Sequence, residues 1–164
     1  MSLNSNTESM EELLAKANAM PTADAVYAQG YNAALASLPD RVVEIGTEES
    51  TDYAGTWYWK KYDSGEARCY GRFDFGSVAC TTSWGENGFR ESTGMYKTFP
   101  ADLFIDAPLH LDISLVSGSG AAFITQDRGN DMTAQQTGRF TLSRPSSLTL
   151  TGVSLGFEVI GRWK

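Results

Sequence analysis

Large apolar side chains fall on every second position close to the end of the chain. One face of this stretch would carry Val153, Leu155, Phe157, Val159 and Trp163. The opposite face would carry Ser154, Glu158 and Arg162. Because successive side chains of a strand point to opposite faces of a sheet, this alternation predicts a half-buried β-strand. We therefore expect the chain to finish on a core strand whose removal would expose the core.

The same period of two continues through most of the sequence from residue 41 onward. Gly, Asp, Asn, Ser and Pro separate the short strand-like runs, as is typical of all-β domains. In the run at 109–116, the predicted apolar face consists of Leu109, Leu111, Ile113 and Leu115. The fold class predicted is mainly β, an antiparallel β-sandwich of jelly-roll or immunoglobulin-like type. Its predicted strands are residues 42–45, 55–62, 67–75, 95–99, 109–116, 121–125, 139–143, 148–150 and 153–163.

Three connecting segments have recognisable turn or loop chemistry. Residues 63–65 read Asp-Ser-Gly between two aromatic-rich strands, which predicts a hairpin because Gly can adopt the positive φ angle that such turns need. Residues 118–120 read Gly-Ser-Gly before another apparent strand, so a second hairpin turn is predicted there. Residues 126–138 are polar and include two glycines, so we expect an exposed loop.

A different periodicity marks residues 1–40. Apolar residues recur there in steps of four and three, the spacing of a coiled-coil seam. Pro21 interrupts the series, so two helices are predicted, at residues 9–20 and 23–38. This helical segment would precede the β domain of residues 41–164 and serve oligomerisation or attachment, although an amphipathic hairpin packed on its own domain fits the same pattern. The predicted oligomer interface comprises Leu13, Ala17, Met20, Tyr27, Tyr31, Ala34 and Leu38.

The charge balance and hydropathy argue against two classes of partner. The chain of 164 residues has a formal net charge of −7, whereas phosphate recognition needs clustered Lys and Arg. We therefore expect no nucleic-acid partner. The sequence shows no apolar run of about 18 residues and no basic-then-apolar leader, so we expect neither membrane insertion nor a signal peptide. Synthesis in a cytoplasm is the corresponding expectation.

Candidate catalytic residues are few. His110 is the single histidine, so any Ser-His-Asp or Cys-His arrangement would have to include it. The predicted strand places His110 on its polar side, where histidines are usually surface residues. Acidic residues are numerous, but the sequence pairs no two of them across a cleft, as a glycosidase would need. We predict no enzymatic activity, no catalytic residue and no cofactor.

Cys69 and Cys80 are the two cysteines of the chain. Neither lies in a CxxC motif or near a second histidine, so no metal site is expected. We predict buried, reduced thiols on neighbouring strands. A disulfide across a hairpin is the alternative in an oxidising environment.

The aromatic residues are the strongest indication of binding. Trp57, Tyr58 and Trp59 are consecutive, so in a strand at least one large ring must point away from the core unless a neighbouring chain covers it. Trp84 opens a glycine-rich stretch, residues 84–89, where an indole in a loop could stack on a sugar ring, fill a subunit contact or pack on its own domain. The ligand-binding residues predicted for loops are Trp84, Asn87, Asn130 and Asp131.

Several short motifs carry a family resemblance over about residues 42–164. Residues 55–71 read GTWYWKKYDSGEARCYG. They resemble the W-x-Y-x-K-x-x-x-G-x-A-x-C-W-G opening of the C-terminal domain of tail-fibre and minor structural proteins from phages and prophages of Gram-positive bacteria. Residues 160–164, IGRWK, are similar to the ending of those domains, and residues 96–100, 107–108 and 117–120 resemble motifs between the two. Tyr70 stands where the family often has Trp.

The resemblance implies a non-enzymatic β-sandwich head, usually trimeric, at the distal end of a tail fibre or baseplate. Such heads bind the bacterial surface, commonly a glycan, and helical segments typically precede them and join the three chains. The partners implied are further copies of the chain, other tail proteins and a bacterial cell-surface glycan, and the location implied is the virion tail. A non-binding trimerisation or tail-assembly module, a stand-alone carbohydrate-binding module and a glycan hydrolase are the alternatives.

Overall fold

A computed structural model describes residues 40–84, 88–126 and 132–164. This part of the chain is mainly β, and it contains no helix that could span a membrane. The predicted helices at 9–20 and 23–38, with all seven residues of the predicted seam, lie outside the described residues. The strands are β1 (Val42–Glu49), β2 (Ala54–Tyr62), β3 (Glu66–Cys80), β4 (Thr82–Trp84), β5 (Phe89–Glu91), β6 (His110–Ser117), β7 (Phe123–Gln126), β8 (Phe140–Arg144) and β9 (Leu148–Arg162).

The strands form two antiparallel sheets, as the alternating pattern predicts. The large sheet has the strand order β1-β2-β3-β9-β6, and the small sheet has the order β4-β5-β8-β7. The hairpin predicted at residues 63–65 joins β2 to β3. Gly65 adopts a φ angle of 97°, and its backbone N–H donates to the Tyr62 carbonyl oxygen at 3.1 Å. A residue with a β-carbon would be strained in that turn.

The two sheets share one hydrophobic core. In β9, the predicted apolar face is confirmed, because Val153, Leu155, Phe157 and Val159 are all buried. The ring of Phe157 lies 5.7 Å from that of Phe140 in the small sheet, so aromatic contacts join the two layers. Trp163 is half-buried against the core. Ser154, which the alternation assigned to the polar face, is also buried.

Two strand predictions need correction. Residues 95–99 do not form a strand, and only isolated bridges tie Met95 to Phe140 and Thr98 to Gln136. The runs predicted separately at 148–150 and 153–163 are one strand, β9. Gly152, with a φ angle of 61°, interrupts the ladder without ending the strand, because glycine accommodates the irregular backbone.

One connection prediction was also wrong. The Gly-Ser-Gly segment at 118–120 links β6 of the large sheet to β7 of the small sheet, so it is not a hairpin turn. Of the predicted exposed loop at 126–138, residues 127–131 lie outside the described residues, and most of the others are partly exposed. In it, Thr137 is fully buried and donates its backbone N–H to the Lys97 carbonyl oxygen at 2.9 Å. Leu109, predicted on the apolar face of a strand, precedes β6 and is 74% exposed.

Lys97 is a lysine whose side chain is fully buried. Its Nζ contacts the Asp52 carboxylate, donates to Ser50 Oγ at 2.7 Å and lies 4.2 Å from the centre of the Phe73 ring. Burial lowers the pKa of Lys97, although Asp52 opposes this effect. Burial alone would raise the pKa of Asp52, but hydrogen bonds from Lys97, the Thr98 backbone N–H and Ser50 lower it to about 2. The ion pair therefore anchors the segment after β1 to the core.

Both cysteines are buried free thiols, which confirms that part of the prediction. They lie on one strand, β3, and not on neighbouring strands. At about 3.3 Å per residue, eleven positions of a strand separate them by roughly 36 Å, so the alternative of a hairpin disulfide is wrong. Burial raises the pKa of the Cys69 thiol and of the Cys80 thiol, which makes both poor nucleophiles.

Candidate functional site

Four side chains from four strands line up across the outer face of the large sheet. Tyr58 of β2 lies opposite Tyr70 of β3, and Tyr70 lies opposite Glu158 of β9. Glu158 in turn lies opposite Asp112 of β6. Because each register is antiparallel and paired residues share a face, all four side chains project from the same surface. The large sheet thus builds a continuous row of two aromatic and two acidic residues.

The two tyrosines form a stacked pair, called here the tyrosine platform. Their ring centroids are 5.6 Å apart and the ring planes differ by 16°. Tyr58 is 47% exposed and Tyr70 is 51% exposed, so the pair is not part of the core. A flat aromatic surface flanked by polar groups suits a ligand with one apolar face and several hydroxyl groups, such as a sugar ring.

Gly156 has no side chain, and this leaves a depression beside the tyrosine platform. In the neighbouring row, Arg72 of β3 lies opposite Gly156 of β9, which lies opposite Ser114 of β6. A β-carbon at position 156 would lie 2.9 Å from Ser114 Oγ, so the glycine leaves that space empty. The resulting sheet groove has a volume of about 580 Å³. It is lined by Tyr58, Tyr70, Gly71, Arg72, Asp112, Ser114, Gly156, Phe157 and Glu158.

Arg72 is held in place at one end of the sheet groove. Its Nε donates to Ser154 Oγ at 2.7 Å, and its Nη2 donates to Ser117 Oγ at 3.4 Å. These bonds tie the guanidinium across β9 to β6 and account for the burial of Ser154. Arg72 also lines a second, smaller depression of about 310 Å³, so the two concavities share this residue. A fixed guanidinium offers hydrogen-bond donors without first losing side-chain freedom.

Glu158 and Asp112 supply acceptors at the other end of the sheet groove. Both side chains are exposed, and neither takes part in a salt bridge within the part of the chain described. Like charges directly opposite each other on neighbouring strands are destabilising, so this pair does not contribute to sheet stability. Carboxylates accept hydrogen bonds from vicinal hydroxyl groups, and the platform lies beside them in the same row.

Trp84, the predicted ligand residue that the structure describes, lies elsewhere. It is the last residue of β4 and not a loop residue, and it pairs with Phe89. Its indole is 47% exposed and meets the edge of the Phe89 ring at a centroid distance of 6.2 Å. A cleft of about 330 Å³ adjoins it on the small sheet, lined by Trp84, Glu91, Thr125, Gln126, Arg139, Phe140 and Thr141.

Asn87, Asn130 and Asp131, the other predicted ligand residues, lie outside the described residues. His110 is exposed at the start of β6, on the polar side that its sequence position predicts. Within residues 40–84, 88–126 and 132–164, no group of three or more His, Cys, Asp or Glu side chains could hold a metal ion. Exposed aromatic residues line the sheet groove and the Trp84 cleft, and these are the candidate binding surfaces.

Sequence reasoning missed Tyr70, Arg72, Asp112, Gly156 and Glu158 as a group. One signal was present, because three consecutive aromatic residues in a strand require an outward ring, and that ring is Tyr58. The remaining members could not be assembled without the registers of β3, β9 and β6.

No family model matches the chain, and neither a curated protein nor a solved structure does so.

Proposed function

We propose that residues 41–164 are the host-binding head of a phage or prophage tail protein and that the sheet groove binds a glycan of the bacterial surface. The head would be an antiparallel β-sandwich of jelly-roll or immunoglobulin-like type, joined into a trimer with the help of residues 1–40 and attached to other tail proteins. The tail context rests on the sequence resemblance. The glycan-binding role rests on the geometry of the described surface.

The observation that carries the binding role is the exposed tyrosine platform at the edge of a polar groove. Tyr58 and Tyr70 each leave about half of their surface in water, although buried positions are available on the opposite face of the same strands. Arg72 supplies fixed donors, and Asp112 and Glu158 supply acceptors. Stacking on the apolar face of a sugar, together with hydrogen bonds to its hydroxyl groups, would use every part of this surface.

A glycan hydrolase is the second candidate, because Asp112 and Glu158 lie directly opposite each other in a groove. Directly opposite residues on neighbouring strands have β-carbons about 4.5–5.5 Å apart, so their carboxyl groups can come as close as the separation of about 5–5.5 Å that retaining glycosidases use. However, a glycosidase acid is kept protonated by an apolar environment, whereas both of these side chains are exposed. Binding without cleavage is therefore the function that the geometry favours.

The test is to remove the platform and to measure binding to bacterial cells. Tyr58→Ala with Tyr70→Ala should weaken binding of the labelled full chain about tenfold or more, which corresponds to about 1.4 kcal/mol of binding free energy. The melting temperature should change little because both rings are exposed. Tyr96→Ala is the matched control, since Tyr96 is also exposed but lies outside the sheet groove.

Two treatments of the cells identify the receptor class. Periodate oxidation of surface sugars should abolish binding, whereas protease treatment should leave it unchanged. If the double tyrosine variant binds as tightly as the unchanged chain, the groove is not the binding site. Release of reducing sugar from purified wall polysaccharide, lost on Glu158→Gln, would favour the hydrolase instead.

A further inference from the structure

A second depression opens on the same outer face as the sheet groove, further along β3. Its volume is about 310 Å³. Side chains at every second position of a strand share a face, so it faces the same way as the tyrosine platform. We call it the Asp74 depression. The registers place four of its lining residues in one row across the sheet, and these are Ala54, Asp74, Ser154 and Ser117.

Arg72 lies between the sheet groove and the Asp74 depression, and it lines both. On β3 it stands halfway between Tyr70 and Asp74. Its hydrogen bonds to Ser154 and Ser117 direct the guanidinium across β9, toward the Asp74 depression. Two of the five N–H donors of a guanidinium are used in this way, so the others are left for a ligand. A ligand that crosses Arg72 therefore enters both depressions.

The carboxylate of Asp74 is an oriented acceptor at the far end of this surface. Asp74 is exposed, and its Oδ1 accepts the Gly76 backbone N–H at 2.7 Å. Within the part of the chain that the structure describes, Asp74 forms no salt bridge. The bond from Gly76 holds the carboxylate in place, and Oδ2 remains able to accept a hydrogen bond from a hydroxyl group.

The tyrosine platform and Asp74 are too far apart for one sugar ring. Asp74 follows Tyr70 by four residues in β3, which corresponds to about 13 Å at about 3.3 Å per residue. A single ring stacked on the platform cannot reach that carboxylate. A second sugar unit, linked to the first and lying over Arg72 or beyond it, would reach it.

We propose that the outer face of the large sheet binds a glycan chain of at least two sugar units, which runs along β3 and β9. One unit stacks on the tyrosine platform, the chain crosses Arg72, and a later unit donates a hydroxyl hydrogen bond to Asp74. The inference rests on the proposed glycan binding and adds the minimum length and the direction of the ligand.

The lining of the Asp74 depression favours a sugar unit as its occupant. Arg72, Asp74, Ser117 and Ser154 are polar, and Ala54 and Gly152 are the remaining lining residues. No aromatic or large aliphatic side chain is present to receive an apolar group. A unit rich in hydroxyl groups matches these donors and acceptors, and the shared Arg72 makes the surface continuous with the sheet groove.

Fragments of different length test this inference. Wall polysaccharide from a strain that the protein binds would be partly hydrolysed with acid and separated by size. The full chain and its Asp74→Asn variant would be titrated with one-unit and four-unit fragments, by calorimetry or, for weak binding, by amide NMR. Asparagine keeps an acceptor for the Gly76 N–H but removes the carboxylate charge.

The expected result is a loss that depends on fragment length. Asp74→Asn should bind the four-unit fragment about tenfold more weakly than the unchanged chain does, because one charge-assisted hydrogen bond is lost. Its affinity for the one-unit fragment should be unchanged, since a single ring stays on the tyrosine platform. Asp102→Asn is the matched control, because Asp102 is exposed and lines neither depression, and asparagine tolerates its φ angle of 53°. This control should bind both fragments as the unchanged chain does.

Two results would overturn the inference. Equal affinity of Asp74→Asn and the unchanged chain for the four-unit fragment would mean that the ligand does not reach Asp74. Equal losses for both fragments would mean that Asp74 acts on the first sugar unit. In either case the proposed function stands if Tyr58→Ala with Tyr70→Ala still weakens binding of the fragments. Unchanged binding of the fragments by that double variant would instead contradict the proposed function.

Discussion

The inner and outer faces of the large sheet each carry an aromatic pair from β2 and β3, and only the inner pair is buried. On the inner face, Trp57 and Phe73 are buried, with ring centroids 4.6 Å apart, and they pack into the core. On the outer face, one position further along β2, Tyr58 stacks on Tyr70 and both rings remain in water. Both pairs are aromatic contacts between β2 and β3, yet burial stabilises only the first. The comparison separates side chains that hold the fold from side chains that are free to bind.

The largest effect is expected from Trp57→Ala. Trp57 is 1% exposed, and its indole N–H donates to the Thr98 carbonyl oxygen at 2.9 Å. The change should therefore lower the free energy of unfolding by about 3–5 kcal/mol, measured by urea denaturation. Tyr58→Ala, the adjacent substitution on the other face, should change it by less than about 1 kcal/mol. Similar losses from the two changes would contradict the assignment of the faces.

The next effect concerns the ion pair beneath the inner face. Asp52→Ala would leave the buried Lys97 ammonium without its carboxylate and should lower the free energy of unfolding by about 2–3 kcal/mol. Asp52→Asn keeps an acceptor and should cost less than the alanine variant. Thermal and urea unfolding of both variants at neutral pH measure the difference. If the two variants match the unchanged chain, the pair does not anchor the segment.

The same pair predicts a pH dependence with a definite sign. The pKa of Asp52 is lowered in the folded chain from 3.8 to about 2, so the unfolded chain binds the proton more readily. The stabilisation from Asp52 is present above pH 3.8 and is lost as the pH falls toward about 2. Urea denaturation across this range should show a steeper loss for the unchanged chain than for Asp52→Asn. Parallel curves would contradict the shift.

A smaller, mainly functional effect is expected from Gly156→Ala on the outer face. The added methyl group would occupy the floor of the sheet groove, 2.9 Å from Ser114 Oγ and 3.2 Å from Val116 Cγ2, so both side chains would have to shift by a few tenths of an ångström. Binding to cells should weaken several-fold, with a much smaller loss of stability than Trp57→Ala causes. Gly118→Ala is the control, because its methyl group would meet nothing closer than 3.7 Å outside the sheet groove. Equal binding by both variants would mean that no ligand enters the groove.

The smallest effect is expected from Trp84→Ala on the small sheet. Its exposed indole contacts Phe89 but lies outside the tyrosine platform. Binding should weaken less than in the tyrosine variants, and the melting temperature should hardly change. A large drop in melting temperature would make Trp84 a core residue. A larger loss of binding than in the tyrosine variants would move the binding site to the Trp84 cleft.

Local periodicity and turn chemistry were sufficient to predict features that lie within one strand or one hairpin. The buried face of β9 and the hairpin at residues 63–65 follow from alternation and turn chemistry alone. The irregular segment at residues 95–99 did not follow, because its apolar spacing resembles a strand although isolated bridges and buried contacts with distant residues hold it. The burial of Lys97 could not be predicted from local pattern either, because its partner Asp52 lies 45 positions away in the sequence.

The sheet groove depends on strand order, which local pattern does not determine. Strand β9 lies between β3 and β6, so Glu158 enters the row between Tyr70 and Asp112. These residues come from distant parts of the sequence, and a shift of any register by one position would turn their side chains to the other face. Gly156 indicates a depression in the sheet only once Arg72 and Ser114 are known to be its neighbours on the adjacent strands. The sequence predicted only that at least one ring of residues 57–59 points outward, and the structure shows Tyr58 in that position.

Amide NMR can show directly whether the outer face of the large sheet binds a glycan. Wall polysaccharide, purified from a strain that the protein binds, would be titrated into the isotope-labelled full chain. If the sheet groove binds the glycan, the amide shifts should be concentrated at its residues, including Tyr58, Tyr70 and Gly156, and they should be lost in the double tyrosine variant. Shifts confined to the Trp84 cleft, or no shifts at saturating polysaccharide, would contradict glycan binding in the sheet groove.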